Sequence, residues 1–155
     1  MLSIRSGTVN DVPLLKTLIE EFATYERLPT VVAEEQLRQD GFGTRPEFQI
    51  LIAEIDGPPA GYALFFDYSS FQGPGIFLED LFVRPGFRGK SVGRALLARV
   101  AQIVEEANGF GLVFNVLGWN DGAIEFYRKI GATFLDDWRT VYLKQKALHD
   151  LAKEV

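Results

Sequence analysis

Cysteine is absent from this 155-residue chain. That excludes disulfides, thiolate-ligated zinc and a thiol nucleophile, and it fits a reducing compartment. The single histidine, His149, rules out a His-rich site, so no metal is expected. No apolar run approaches the roughly 18 residues that a membrane span needs. The opening Met1-Leu2-Ser3-Ile4-Arg5 alternates like a strand and lacks the apolar core of a signal peptide. A cytoplasmic protein without a membrane partner is the expectation. A basic excess is missing too: the net charge is −5, whereas general nucleic-acid binding draws its affinity from neutralising phosphates. No nucleic-acid partner is expected. Repeats, low-complexity tracts and linkers are also lacking, so residues 1–155 read as one domain.

What is present suits a packed core: 47% of residues are hydrophobic and thirteen are phenylalanine. Leu2–Arg5 reads as a strand. Thr8, Asn10 and Asp11 offer N-cap chemistry before Leu14, Leu15, Leu18, Ile19 and Phe22, which fall on one helical face. A shorter helix is predicted over Ala33–Gln39, ending at Gly41. The period then changes to strands at Gln49–Ile55, Ala60–Tyr68 and Ile76–Val83, separated by Asp56-Gly57-Pro58-Pro59 and by Phe71–Gly75. Helical spacing returns with Val92, Ala95, Leu96, Val100, Ile103 and Val104, before a strand at Leu112–Leu117 and a helix over Asp121–Lys129. Thr133–Leu135 and Thr140–Lys144 can form a last hairpin ahead of a helical tail. This order predicts an α/β or α+β domain, a mixed and mainly antiparallel sheet of about six to seven strands with helices on both faces.

The most informative stretch runs Val83-Arg84-Pro85-Gly86-Phe87-Arg88-Gly89-Lys90-Ser91-Val92-Gly93-Arg94. A strand enters a glycine-containing turn and then an amphipathic helix, whose first amides and dipole attract phosphate. Arg88, Lys90 and Arg94 add positive charge, and Gly89 and Gly93 permit close approach to the backbone. Gly89-Lys90-Ser91 ends like a P-loop, but Arg84 stands where that motif needs its first glycine, and no G-x-G-x-x-G occurs. A helix start that uses glycines with no ligand is the alternative.

Arg88-x-x-Ser91-x-Gly93 is similar to the acyl-CoA signature Arg/Gln-x-x-Gly-x-Gly/Ala of the GNAT family of N-acetyltransferases, with serine where glycine is usual. A serine can serve there provided its φ stays negative. Ile4-Arg5 with Thr8-x-x-Asp11 resembles the family's opening strand and helix. Ile76–Val83 resembles its central strand, and Trp119-Asn120 with Glu125-Phe126-Tyr127-x-x-x-Gly131-Ala132 its later strand and helix. Within the family, Tyr25-Glu26, Asp40-Gly41-Phe42-Gly43, Leu78-Glu79-Asp80 and Trp119-Asn120 most resemble the spermidine/spermine and thialysine N-acetyltransferases.

The resemblance implies acetyl-CoA as co-substrate, a small amine as acceptor and a homodimer. It places coenzyme A on Leu81, Phe82 and Val83, on Arg88, Gly89, Lys90, Ser91, Val92, Gly93 and Arg94, and on Asn120, Asp121, Ala123 and Tyr127. It places the acceptor on Tyr25, Glu26, Glu79, Asp80 and Trp119. Other acceptors (an amino acid, a protein N-terminus, an aminoglycoside) and a catalytically silent binding module are the alternatives. An alkylamine with a pKa near 10.4 is neutral in fewer than about one molecule in a thousand at pH 7, so the site must remove a proton. Glu79 is the expected proton acceptor, working through water, with Asp80 as supporting anion and Tyr127 as the acid for the departing thiolate. Adjacent strand residues point to opposite faces, so Glu79 and Asp80 share a pocket only if the strand bulges; otherwise they are solvated carboxylates. For Glu26, Glu34 and Glu35 a solvated helix face is the competing reading, and for Tyr127 a helix–sheet seam. With no cysteine, and no serine near a histidine, no covalent acyl-enzyme is expected.

Overall fold

The computed structural model describes residues 1–154, in two compact units that divide after Leu117. The first unit carries a five-stranded sheet in the order β1 (Leu2–Ser6), β2 (Gln49–Ile55), β3 (Pro59–Ser70), β4 (Gly73–Val83), β5 (Leu112–Phe114). All pairs are antiparallel except β4–β5, which is parallel. Sequence alternation assigns the two faces. Ile50, Ile52, Tyr62, Leu64 and Phe82 meet Val12, Leu15 and Leu18 of α1 (Val12–Glu26) and Leu37 of α2 (Glu34–Phe42). Leu51, Ala53, Ala63 and Phe65 are buried on the opposite face, and α3 (Val92–Glu106) packs on the sheet with Val92, Leu96, Leu97, Val100 and Val104 buried. Full burial of a leucine such as Leu15 or Leu18 contributes about 1.5–3 kcal/mol each, which places the stability of α1 in its packed stripe. The mixed α/β class with helices on both faces is as expected.

The opening strand and helix are tied by charge. Arg5 donates from both terminal nitrogens to Asp11 at 2.8 and 2.9 Å and from Nε to Glu54 at 2.9 Å. Asp11 also accepts the Thr8 amide at 2.7 Å. These bonds, the Arg5 pair foremost, lower the Asp11 carboxyl to about 2. α1 stops at Arg27, which takes the left-handed φ of 59°.

Several boundaries differ from expectation for identifiable reasons. α2 runs through Gly41 to Phe42, because Gly41 is where the Phe48 ring lies against the helix: a Cβ there would stand 2.6 Å from Phe48 Cε2. The β3–β4 hairpin is longer than the predicted break at Phe71–Gly75, since Ser70 already pairs with Gly73 and Gly73 takes a φ of 113°. β5 stops at Phe114 instead of Leu117. The sheet has five strands, fewer than predicted.

The second unit contains α4 (Asp121–Lys129) and α5 (Gln145–Leu151). The hairpin predicted at Thr133–Leu135 and Thr140–Lys144 is not formed: no strand occurs there among the described residues. Leu135, Trp138, Val141, Tyr142 and Leu143 are exposed. Alternation supplies strand tendency, but a strand also needs a ladder partner, and the local turn from the Trp138 amide to the Leu135 carbonyl (3.0 Å) does not supply one. No helix among the described residues is long and apolar enough to cross a membrane.

Candidate active site

The centre of the first unit is one extra residue in β4. Ala63 pairs with Leu81 and Leu64 with Asp80, yet Phe65 pairs with Leu78. Glu79 is therefore the inserted residue of a β-bulge. Its effect on direction is definite: Leu78 shares the face of Phe65, while Asp80 shares the opposite face with Leu64 and Tyr62. Parallel pairing to β5 ends at Leu78↔Phe114, immediately before the bulge, so β4 beyond Glu79 has β3 on one side and, among the described residues, no strand pairing on the other.

The bulge gathers carboxylates at the sequence-predicted acceptor residues. Asp80 is partly buried and accepts the hydroxyl of Tyr62 on Oδ2 at 2.7 Å. Burial is the largest influence on Asp80; the charges of Glu79 and Glu26 also raise it, the Tyr62 bond lowers it, and the balance stands at about 6. Glu26, at the last turn of α1, is raised by burial and by Glu79. Glu26, Glu79 and Asp80 thus lie within electrostatic reach of one another, Glu26 and Asp80 partly buried and Glu79 exposed. Glu34 and Glu35 are apart in character: both are exposed in the first turn of α2, where the helix dipole favours them, and Glu35 faces Arg38 at 3.9 Å.

The free edge of β4 offers donors. The Arg84 amide donates to the Ala60 carbonyl at 2.9 Å, which sets the antiparallel phase. By alternation, Phe82 and Asp80 hydrogen-bond to β3, whereas Leu81 and Val83 turn their N–H and C=O groups to the unpaired side. The Val83 carbonyl confirms this phase by accepting Arg88 Nε at 3.1 Å. Of the three amides expected to meet the ligand, the strand thus aims two, Leu81 and Val83, and keeps that of Phe82 in the sheet.

Beyond β4, Arg84 is clamped to Glu21 of α1 by two bonds of 2.8 Å and to the Pro59 carbonyl at 3.1 Å. Pro85–Phe87 makes one 3-10 turn, and the chain reaches α3 through Gly89 (φ 74°) and Ser91 (φ 62°). The condition of a negative φ at Ser91 is therefore not met. The turn into α3 needs a left-handed residue there, which is the physical reason a glycine suits this position, and serine adopts the strained conformation instead. Val92, Gly93 and Arg94 then present amides with no partner one turn earlier in the helix. A Cβ at Gly89 would meet nothing within 4 Å, and at Gly93 only Val83 Cγ2 at 3.5 Å, so this side of the loop is open. Lys90 and Arg94 are exposed, Lys90 lying over Phe87 at 5.4 Å. Arg88 is exposed with its guanidinium 4.5 Å from the centre of the Tyr25 ring. Amides, cations and an open strand edge fit a pantetheine chain ending in a diphosphate.

In the second unit, Asn120 caps α4, its Oδ1 accepting the Ala123 amide at 3.3 Å; Asp121 occupies the first turn. Tyr127 is buried in α4 with its ring 5.3 Å from that of Phe126, and Trp119 is exposed. Sequence reading missed Tyr62 and the Glu21–Arg84 clamp. The available signal for Tyr62 was a hydroxyl inside the apolar run Ala60–Phe66, because a buried tyrosine needs a hydrogen-bond partner.

A bulged, mainly antiparallel sheet that opens beside the start of α3 agrees with the acyl-CoA-dependent transferase class that the resemblance implied. The Acetyltransferase (GNAT) family model matches residues 14–132. The chain is 35% identical to the thialysine N-epsilon-acetyltransferase of Bos taurus, covering 96% of each. It is 30% identical to the spermidine/spermine N(1)-acetyltransferase-like protein 1 of Homo sapiens, covering 97% of this chain and 24% of that one. The solved structure of the aminoglycoside N-acetyltransferase AAC(6')-Iy in complex with CoA superposes with a TM-score of 0.75 at 18% identity, covering 94% of this chain and 95% of that one. The chain belongs to the GNAT acetyltransferase family and is an acetyl-CoA-dependent N-acetyltransferase.

Proposed function

We propose that this protein transfers the acetyl group of acetyl-CoA to a primary amine of a small polyamine-like or lysine-analogue acceptor, by direct attack in a ternary complex. The observation that carries the reading is the meeting of Glu26, Glu79 and Asp80 beside the unpaired edge of β4. An acceptor with two positive centres matches three carboxylates, and thialysine and polyamine acetylation in the names of the relatives supports the same class.

In this reading the N–H groups of Leu81 and Val83 hold the pantetheine arm and the thioester oxygen, where charge develops during attack. The first amides of α3 with Arg88, Lys90 and Arg94 hold the diphosphate; Asn120, Asp121 and Ala123 contribute further CoA contacts. Glu79 and Glu26 bind the ammonium groups with Tyr25 and Trp119, and the reacting ammonium loses its proton toward Glu79 and Asp80 through water. Tyr127 gives a proton to the departing sulfur, a role supported by its motif. The chain acts as one domain, supported by a family match that runs across the division at Leu117. A homodimer belongs to the proposal, supported by the exposed Trp138, Tyr142, Leu148 and Leu151, as does a cytoplasmic location.

The test is thiol release from acetyl-CoA with a panel of spermidine, thialysine, lysine and an aminoglycoside. Turnover with the first two above the others is expected. Failure of the protein to bind coenzyme A in a calorimeter, or turnover with the aminoglycoside alone, refutes the proposal.

A further inference from the structure

We propose that Tyr62 is a positioning residue for acetyl transfer, holding Oδ2 of Asp80 so that Oδ1 becomes the oxygen on which the acceptor's proton comes to rest. The inference builds on the acetyl-transfer reading above and extends it to a residue outside the family signature.

Tyr62 is 0% exposed and is among the largest wholly buried side chains of the first unit. Its ring is fixed by edge contacts with Phe22 (6.5 Å) and Phe82 (6.3 Å), and its register partner Phe82 sits one alternation from Asp80. A ring held on both sides leaves its hydroxyl little freedom, so the 2.7 Å bond to Oδ2 orients the carboxylate. A buried phenol this far from water keeps its proton: burial and the charge of Asp80 push Tyr62 well above its ordinary range. It therefore donates in every protonation state of Asp80. Because Oδ2 is engaged as an acceptor, a proton arriving at Asp80 binds Oδ1, and the Tyr62 bond survives the event.

The groups that face Asp80 are Tyr62 from β3, Glu79 from β4 and Glu26 from α1. The two carboxylates and burial raise its proton affinity and Tyr62 tempers it, which leaves Asp80 near 6 and able to cycle close to neutral pH. The step balances as follows. An N–H bond of the ammonium breaks with its electron pair kept on nitrogen; water takes that proton and passes one of its own on, which forms an O–H bond at Oδ1. The amine then bonds to the thioester carbon and the carbon–sulfur bond breaks. The nitrogen's second lost proton matches the one gained by sulfur, and Asp80 returns its own proton to water, one per turnover.

Tyr62→Phe removes only the oxygen and tests this directly. With the tempering bond gone, the midpoint of Asp80 in a carbon-13 carboxyl titration should rise by about one pH unit. The acid limb of kcat/KM for the amine should move up equally, with the KM for acetyl-CoA unchanged. A lowered Tm with both midpoints in place would make Tyr62 a core residue only and overturn the inference while leaving acetyl transfer intact. A shifted titration in a protein that acetylates no amine would uphold the Tyr62–Asp80 coupling and overturn the functional reading instead.

Discussion

Ser91 carries a conformational cost that a single atom-scale change removes. At φ 62° and ψ 13° it occupies the left-handed region as the residue before α3, and its side chain makes no capping hydrogen bond to the helix. For an L-residue that conformation costs about 1–2 kcal/mol. Ser91→Gly removes the cost but gives the unfolded chain extra freedom worth roughly 0.5–1 kcal/mol. The balance favours glycine by about 0.5–1 kcal/mol, because no cap bond is lost in exchange. In a chain of this size that corresponds to a rise in Tm of roughly 1–4 °C.

Urea unfolding followed by fluorescence at pH 7, with Ser91→Val as the opposite control, measures the difference. Valine adds a branched Cβ to a left-handed residue and should lose at least about 1 kcal/mol. The α3 amides stay in place in Ser91→Gly, so coenzyme A affinity should hold within about threefold, under 0.7 kcal/mol. A Ser91→Gly protein no more stable than the wild type would show that the turn is not strained, and the explanation given for glycine at this position would fail.

Asp80 is raised in the fold to about 6 from an ordinary 3.8, so its ionisation opposes folding as pH climbs through that window. Asp80→Asn should therefore be more stable than wild type by about 1–2 kcal/mol at pH 8 and equal to it at pH 4, while losing most activity; urea curves at the two pH values decide it. Asp11 has the opposite sign: lowered to about 2, it stabilises above pH 4 and loses that contribution as pH falls toward 2. Asp11→Asn should cost about 1 kcal/mol at pH 7, discounted for the exposure of Arg5, with the gap closing in acid melts. Tyr127→Phe should lower kcat at least about tenfold with acetyl-CoA affinity unchanged by calorimetry; intact turnover removes it from the mechanism. Deleting Glu79 should yield a folded, inactive protein, since Leu78 and Asp80 already oppose Phe65 and Leu64 without it; an unfolded product would show that the bulge is needed by the sheet.

Much of the fold could be read from local pattern. Leu15 and Leu18 announce α1 by spacing, and the strands from Gln49 to Val83 alternate or punctuate clearly. The start of α3 was legible because cations, glycines and a helix period coincide within twelve residues. What escaped is long-range. The Tyr62–Asp80 bond joins residues 18 apart and the Glu21–Arg84 clamp residues 63 apart, separations at which no spacing rule operates. The hairpin expected after Thr133 failed for the complementary reason: its alternation was real, but pairing depends on a neighbour that alternation cannot specify. Ser91 shows a third limit, since its sign of φ is set by the direction in which α3 must leave the loop.

In the proposed reaction the bulge at Glu79 links the two halves through one degree of freedom. A regular β4 would carry its side chains in strict alternation and could keep pairing with β5 past Leu78. One inserted residue does three things at once: it ends that pairing, turns Asp80 to the face of Tyr62 and Glu26, and leaves Glu79 outside the ladder. In the proposed mechanism the first effect leaves the Leu81 and Val83 amides for a thioester arm, and the other two assemble the charge that would draw and deprotonate a cationic acceptor. On that proposal donor and acceptor sites would be in register by construction, because the same two peptide units set both. Reactants brought together this way need no separate ordering of each site, and orientation of that kind is worth several kcal/mol of barrier on its own.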